Sequence, residues 1–429
     1  MDLNSFSSRY ATPQTQVSPP TTPPMHLPRD SELAARHNKI GLRPGVRNPA
    51  WIIGAMTKAL VVTSSFLPGH GGIESFLAQL MAELRPQCAV LAPGRRDGKA
   101  VPGDLGYPVV GYPGSMLIPT RKVADKVAEL ADRFDTDRVL FGTPWPLALL
   151  GPGLARAGLK YAVIVHGAEL LVPSAIPVVR ARLGRALAGA DLLLAVSHYT
   201  ARNVRQLVER HASTVPPIEI LHPRVDLDRF RPDADATGVR RKLGIDEHAR
   251  VVLAFGRLVR RKGVHRLIHA MLEVRRRAQD TVLVVAGTGP RERSLHSLAR
   301  RINSRVLFTG SVDDADTPSL YATADVFALP VADRFFGLDV EGLGVVLLEA
   351  SACETPCVTG RSGGTPEAVI NERTGFVVEG REVGQLVDRI TFLLEEPARS
   401  QEMGRAARHH VATEFSRRSL PAKLIEWLG

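Results

Sequence analysis

Three cysteines, Cys88, Cys353 and Cys357, are all that 429 residues contain. So sparse and odd a set excludes a disulfide-built secreted scaffold. Cys353 and Cys357 stand four apart, but no second cysteine or histidine pair accompanies them, so no metal site is expected there. All three read as small buried residues in a reducing compartment. Aromatic residues make up only 5% of the chain. Without a zinc-finger spacing or an aromatic and basic single-strand platform, nucleic acid is not the expected partner. No apolar run approaches the roughly 20 residues that span a bilayer. The N-terminus also lacks a basic segment followed by an apolar one, so no export signal is expected. These absences describe a cytoplasmic protein, with peripheral attachment to the inner face of the plasma membrane still open.

What is present is basic charge and a βα rhythm. A net charge of +11 suggests an anionic partner, either phosphate-bearing metabolites or an acidic membrane surface. Residues 1–55 are rich in Pro, Ser and Thr and read as a disordered extension or as the product of an upstream start codon. From Met56 onward, short apolar runs ("ALVVT", "CAVLA", "RVLFG", "YAVIVH", "LLLAVS") alternate with helical stretches. The segment "PRVDLDRFRPDADATG" interrupts them, and the rhythm resumes at "RVVLAFG", "TVLVVAG", "RVLFTG", "ADVFALP" and "TPCVTG". Such alternation predicts an α/β fold of βαβ units on parallel sheets. Two successive domains are expected, over 56–228 and 229–412, with a final helical stretch over 413–429.

Four clusters carry candidate chemistry. "FLPGHGGIESF" is a glycine turn into a helix, whose free N–H groups favour an anion. Glu74 stands where a dinucleotide fingerprint needs its third glycine, which disfavours an oxidoreductase. "FGRLVRRKGVHRLI" sets Arg257 and Lys262 in a loop after a strand, a fork and a point charge suited to two phosphates. Arg260 and Arg261 are alternatives for that role. "VIVHGAEL" places His166 at the C-terminal end of a strand, the edge where open α/β sheets bind ligands. "DVEGLGVVLLEA" holds Glu341 and Glu349 on either side of seven uncharged residues. A carboxylate within an apolar helix needs a partner. The acceptor oxygens of Glu349 suit a ribose diol, and Glu341 suits sugar hydroxyls.

In this order the clusters resemble the retaining GT-B glycosyltransferases marked by a Glu-x7-Glu motif. The likeness runs from about Lys58 to the C-terminus and includes "SGGTPE" at 362–367. "DVEGLG" and "FLPGHGGIESF" look most like actinobacterial phosphatidylinositol mannoside mannosyltransferases. The resemblance implies two Rossmann-like domains facing across a cleft. The N-terminal domain would take the acceptor and the C-terminal domain the nucleotide sugar, with the last helix crossing back to the first domain. It implies that Arg257 and Lys262 bind the diphosphate and Glu349 the ribose. Glu341, with the amides of Gly344 and Val345, would hold the transferred sugar. Gly71 and Gly72 would approach the phosphate, and His166 would contact the sugar.

The expected activity is transfer of mannose from GDP-mannose to a phosphatidylinositol mannoside-type glycolipid. No cofactor or metal is required, because Arg and Lys supply the positive charge. The catalytic set is His166, Glu341, Arg257 and Lys262. The chain offers no obvious carboxylate nucleophile, so front-face attack is favoured over a covalent intermediate. For the segment from Pro173 to Gly189, with Arg180, Arg182 and Arg185, two readings stand: a helix lying on an anionic bilayer, or a packed helix with a solvated basic face. The alternatives are a transferase using a UDP- or ADP-sugar on a soluble glycan or small molecule, and a non-catalytic sugar-nucleotide-binding protein.

Overall fold

The computed structural model of the chain describes residues 57–429, apart from 70, 97, 104, 303–304 and 417–419. The extension expected over 1–55 lies outside the described residues. Seven strands form the first sheet: β1 (Ala59–Val62), β2 (Cys88–Pro93), β3 (Val109–Tyr112), β4 (Arg138–Phe141), β5 (Lys160–Val165), β6 (Leu192–Ala195) and β7 (Ile218–Ile220). All are parallel, in the order β3-β2-β1-β4-β5-β6-β7. The second sheet holds β8 (Arg250–Phe255), β9 (Thr281–Ala286), β10 (Val306–Gly310), β11 (Val326–Leu329), β12 (Cys357–Gly360) and β13 (Gly375–Val378). Its order is β10-β9-β8-β11-β12-β13, again all parallel.

Each sheet starts at a central strand, winds outward to one side, then returns and winds to the other. Right-handed crossovers therefore lay helices on both faces, and strands covered on both faces must be apolar throughout. Alternate residues feed opposite core layers. In the first sheet Leu60, Val62, Phe141 and Val163 face one layer, while Ala59, Val61, Leu140 and Ile164 face the other. In the second, Val251, Leu253 and Val284 oppose Val252, Ala254 and Leu283. Each fully buried Val or Leu contributes about 1.5–3 kcal/mol.

The helices that position the site are few. α1 (Gly72–Leu84) follows β1, α2 (Pro177–Ala188) precedes β6, and α3 (His198–Glu209) follows it. In the second lobe α4 (Val264–Arg277) follows β8, α5 (Val345–Ala352) follows β11, and α6 (Thr365–Ala368) follows β12. The chain ends with α7 (Pro397–Glu414) and α8 (Ala422–Leu428). Leu424 and Leu428 of α8 join the first lobe's core beside Leu192 and Leu194. The last helix thus crosses back, and that is where its apolar stripe is buried.

Both sheets reverse direction beside their first strand, β1 against β4 and β8 against β11. Loops at such a switch point diverge and leave a crevice. The two lobes meet through segments that follow β6 in the first sheet and β11 and β12 in the second. Ser197 Oγ at the start of α3 donates to the Gly342 carbonyl at 3.0 Å. The Glu367 carboxylate of α6 accepts the His198 N–H at 2.7 Å and the Tyr199 N–H at 2.8 Å.

Candidate active site

Glu341 sits in the loop between β11 and α5 and gathers the site's charges. Lys262 Nζ lies 2.9 Å from Glu341 Oε2, and Arg261 Nη1 bonds the same oxygen. Arg261 also donates through Nε to Asp339 Oδ1 at 2.9 Å. Burial alone would raise the Glu341 carboxyl, but Lys262 and Arg261 outweigh it and hold the group below its usual range. The lysine and both acids keep less than a third of their side-chain surface exposed, so their attraction is only partly screened by water.

The backbone of this loop is shaped by its glycines. Gly344 adopts φ +89°, a left-handed conformation, at the N-terminus of α5, where a side chain would be strained. At Gly342 the reason is proximity: a Cβ there would overlap the carbonyl oxygen of His166 across the cleft. The two glycines after Glu341 are therefore a turn and an inter-lobe contact. Glu341 is pinned by its own N–H, which donates to Ser362 Oγ at 3.0 Å. Its carbonyl accepts from Gly364 at 3.0 Å. This is how "SGGTPE" enters the site, as the loop that backs "EGLG".

His166 ends β5, where its ring meets Phe76 edge-on at 5.1 Å. Nε2 lies 3.0 Å from the Gly142 carbonyl. A carbonyl only accepts, so Nε2 carries the proton and Nδ1 keeps its lone pair. Burial pushes the imidazolium below its ordinary range, against the pull of Glu169, the Gly142 carbonyl and Glu74. The ring is neutral at physiological pH and offers an acceptor to a hydroxyl.

Glu349, on α5, is likewise partly buried. Tyr321 donates its phenolic hydroxyl to Glu349 Oε2 at 2.6 Å. Burial raises its carboxyl to about 7, the Tyr321 bond and Arg229 acting against it.

The structure therefore brings Lys262, Glu341, Gly344 and Val345 together beside the contact between Gly342 and His166. Arg257 stands apart. It is exposed in the loop after β8, and its guanidinium has no ion pair or hydrogen bond among the described residues. Gly71 and Gly72 open α1 from the other lobe. Gly71 is crowded by the Glu74 carboxylate, whereas a Cβ on Gly72 would meet nothing within 4 Å. Sequence reasoning left three groups unassigned. In the sequence Arg261 is one of several candidate cations, Asp339 is the acid two residues before Glu341, and Tyr321 carries no signal. Asp339 was accessible, since residues two apart in an extended chain point to one side and the intervening Val340 is buried.

Among the described residues His198, His222 and Glu367 also converge, with ligand atoms all within 4.8 Å of one another. No helix of the described residues is long and apolar enough to cross a membrane.

Residues 235–410 match the family model described as glycosyl transferases group 1, and residues 70–229 match glycosyltransferase family 4. Over 382 residues the chain is 40% identical to the GDP-mannose-dependent alpha-(1-6)-phosphatidylinositol monomannoside mannosyltransferase of Mycolicibacterium smegmatis, covering 86% of this chain and 98% of the relative. A second relative is the GDP-mannose-dependent monoacylated alpha-(1-6)-phosphatidylinositol monomannoside mannosyltransferase of Corynebacterium glutamicum. It is 38% identical, over 84% of this chain and 95% of its own. Among solved structures, sucrose-phosphate synthase from Thermosynechococcus elongatus superposes with a TM-score of 0.69 at 20% identity, covering 83% of this chain and 95% of that one.

Proposed function

Because the chain belongs to the glycosyl transferases group 1 family, we propose that it moves mannose from GDP-mannose to a phosphatidylinositol mannoside-type glycolipid, with retention of configuration. The carrying observation is the pair of cations, Arg261 and Lys262, converging on Glu341 where the lobes touch. Cleaving a sugar nucleotide develops negative charge on the departing diphosphate, and fixed cations in a cleft that excludes water stabilise it. A diphosphate at this loop competes with Glu341 for both cations. Donor binding and release of the Glu341 oxygens toward the sugar hydroxyls are then one exchange. Arg257, free at the rim, reaches the same phosphates, while the Glu349 carboxylate accepts from the ribose diol. Gly71 and Gly72 close on the phosphate from the first lobe, and the amides of Gly344 and Val345 support the sugar.

In the transfer itself the bond between mannose C1 and the phosphate oxygen breaks, and the acceptor oxygen bonds to C1 on the same face. The departing phosphate oxygen takes the acceptor proton, so no carboxylate nucleophile and no metal are needed. Neutral His166 accepts a hydrogen bond from a mannose hydroxyl through Nδ1 and orients the ring.

The acceptor is presented at the inner face of the membrane. At the start of α2, Ile176 and Val178 are 57% and 62% exposed, beside exposed Arg182 and Arg185. The same helix buries Leu183, Gly184, Ala186 and Leu187, so it is packed along its second half and bare at its start. An apolar tip flanked by arginines fits the surface of an anionic bilayer.

The test is to incubate purified protein with radiolabelled GDP-mannose, UDP-glucose or ADP-glucose, with vesicles carrying phosphatidylinositol monomannoside, with and without EDTA. Label in the lipid from GDP-mannose alone, undiminished by EDTA, is expected. Label from UDP-glucose in a water-soluble acceptor establishes the other transferase. No transfer from any donor, with donor binding intact, leaves a sugar-nucleotide-binding protein.

A further inference from the structure

His198, His222 and Glu367 take no part in the transfer chemistry, yet they meet at the seam between the lobes. His198 opens α3 and is exposed, and His222 follows β7 in the first lobe. Glu367 belongs to α6 of the second lobe, 169 residues along the chain from His198. The two imidazole rings lie 6.1 Å apart at 70°, and one ligand atom from each of the three residues lies within 4.8 Å of the others.

Two of the three groups, His222 and Glu367, are already held in place. His222 Nδ1 lies 3.0 Å from the Val196 carbonyl. That carbonyl can only accept, so the proton resides on Nδ1 and Nε2 presents its lone pair. A backbone carbonyl holding the far nitrogen is the usual orienting partner of a metal-bound histidine. Phe415 packs against the same ring at 4.8 Å and limits its rotation. The Glu367 oxygens each accept one backbone N–H from α3, and each retains another lone pair. The backbone of Glu367 is itself fixed, since its carbonyl lies 3.0 Å from His410 Nε2. The His198 ring is exposed and is the least constrained of the three. With metal–ligand bonds of about 2.1 Å, tetrahedral zinc sets its ligands roughly 3.4 Å apart, a small contraction from the present spread.

We infer that His198, His222 and Glu367 form a binding site for a divalent transition metal such as Zn2+, which clamps the two lobes together. Two neutral imidazoles and a carboxylate suit that class of ion rather than Ca2+ or Mg2+, which prefer oxygen donors. Water completes the fourth position. The ion adds bonds across a seam that the two Glu367 hydrogen bonds and that of Ser197 already bridge. No step of glycosyl transfer runs through it.

The experiment titrates zinc chloride into the full-length protein, freed of metal with EDTA and dialysed, against a chromophoric chelator at neutral pH. Calorimetric unfolding and the visible spectrum of the Co2+ form are recorded in parallel. One equivalent should bind with micromolar or tighter affinity. His222→Ala and His198→Ala should each weaken it at least tenfold, and the Co2+ form should show tetrahedral d–d bands that both variants lose. Zinc should raise the Tm of the wild type and leave His198→Ala unmoved. His198 is exposed, so that variant folds, and its metal-free Tm checks this. Zinc binding equally well to the His198→Ala/His222→Ala double variant, or no binding above buffer, overturns the site. None of these readouts requires turnover, so an unknown or different donor sugar leaves the result intact.

Discussion

Tyr321 donates its hydroxyl to the Glu349 carboxylate at 2.6 Å, and this is the only hydrogen bond to that carboxylate among the described residues. One neutral donor does not offset burial, so the carboxyl titrates at about 7 against an ordinary 4.5. The folded protein therefore holds this proton more tightly than the unfolded chain. Protonation supports the fold fully below the unfolded value, and that support fades as pH rises through the folded one. Above about pH 7 the charged form costs on the order of 3 kcal/mol. A ribose diol would supply the missing donors.

Glu349→Gln separates the two effects. The amide keeps an acceptor for Tyr321 and removes the charge. Its Tm should exceed that of the wild type at pH 8, and the gap should shrink toward zero near about pH 4. The donor KM should rise about tenfold, the loss of a charge-assisted bond. Scanning calorimetry at both pH values decides it. An equal Tm difference throughout means the carboxylate is not held protonated by burial.

Gly342 approaches the carbonyl of His166 from the other lobe, so Gly342→Ala must part the cleft beside the proposed sugar site. An ångström of misplacement costs about a hundredfold in rate. The expected result is a fall of that size in kcat with little change in Tm, because the clash lies between lobes and not inside a core. Gly72→Ala is the contrast. Nothing lies within 4 Å of its added carbon, so stability should hold, and a raised donor KM would report a phosphate at that N-terminus. Full activity in Gly342→Ala would mean that the lobes need not touch here during turnover.

The basic loop yields a ranked prediction. Lys262→Met and Arg261→Met each remove a cation fixed against Glu341, and each should lower kcat about 10²–10³-fold, the scale for one lost electrostatic donor. Arg257→Met removes an unpaired exposed group and should act on donor KM, by about tenfold. Steady-state kinetics with GDP-mannose distinguishes them. If Arg257→Met lowers kcat as much as Lys262→Met, the transition-state charge rests on the rim and not on the Glu341 pair.

The central strands of both sheets are legible in the sequence because they are buried on two faces and read as solid apolar runs. The three strands hardest to read are β3, β7 and the short β13, and all three lie at sheet edges. β3 and β7 have partly exposed faces, and β13 is a four-residue "GFVV" begun by glycine. An edge strand pairs on one side only, so its sequence need not be apolar. The site shows the same division. Glu341, Glu349, Lys262 and His166 stand out because charge beside glycine at a strand end is hard to place in a core. Tyr321 and His222 look like ordinary core side chains, and only folding reveals what they face.

The start of α2 tests the proposed lipid contact. Ile176 and Val178 are bare while the second half of the helix is packed, so their exposure is not a consequence of a loose element. Burying such side chains in the interface contributes about 1.5–3 kcal/mol apiece at most, and each nearby arginine adds about 1 kcal/mol on an anionic surface. Ile176→Ser/Val178→Ser should reduce cosedimentation with phosphatidylinositol-containing vesicles at least tenfold, and Arg182→Gln/Arg185→Gln should remove part of its salt sensitivity. Transfer to an acceptor dispersed in detergent should be unchanged in both, since neither pair lies at Glu341. Vesicle binding that survives the serine pair would place the lipid contact elsewhere on the first lobe, and the acceptor would then enter the cleft from another side.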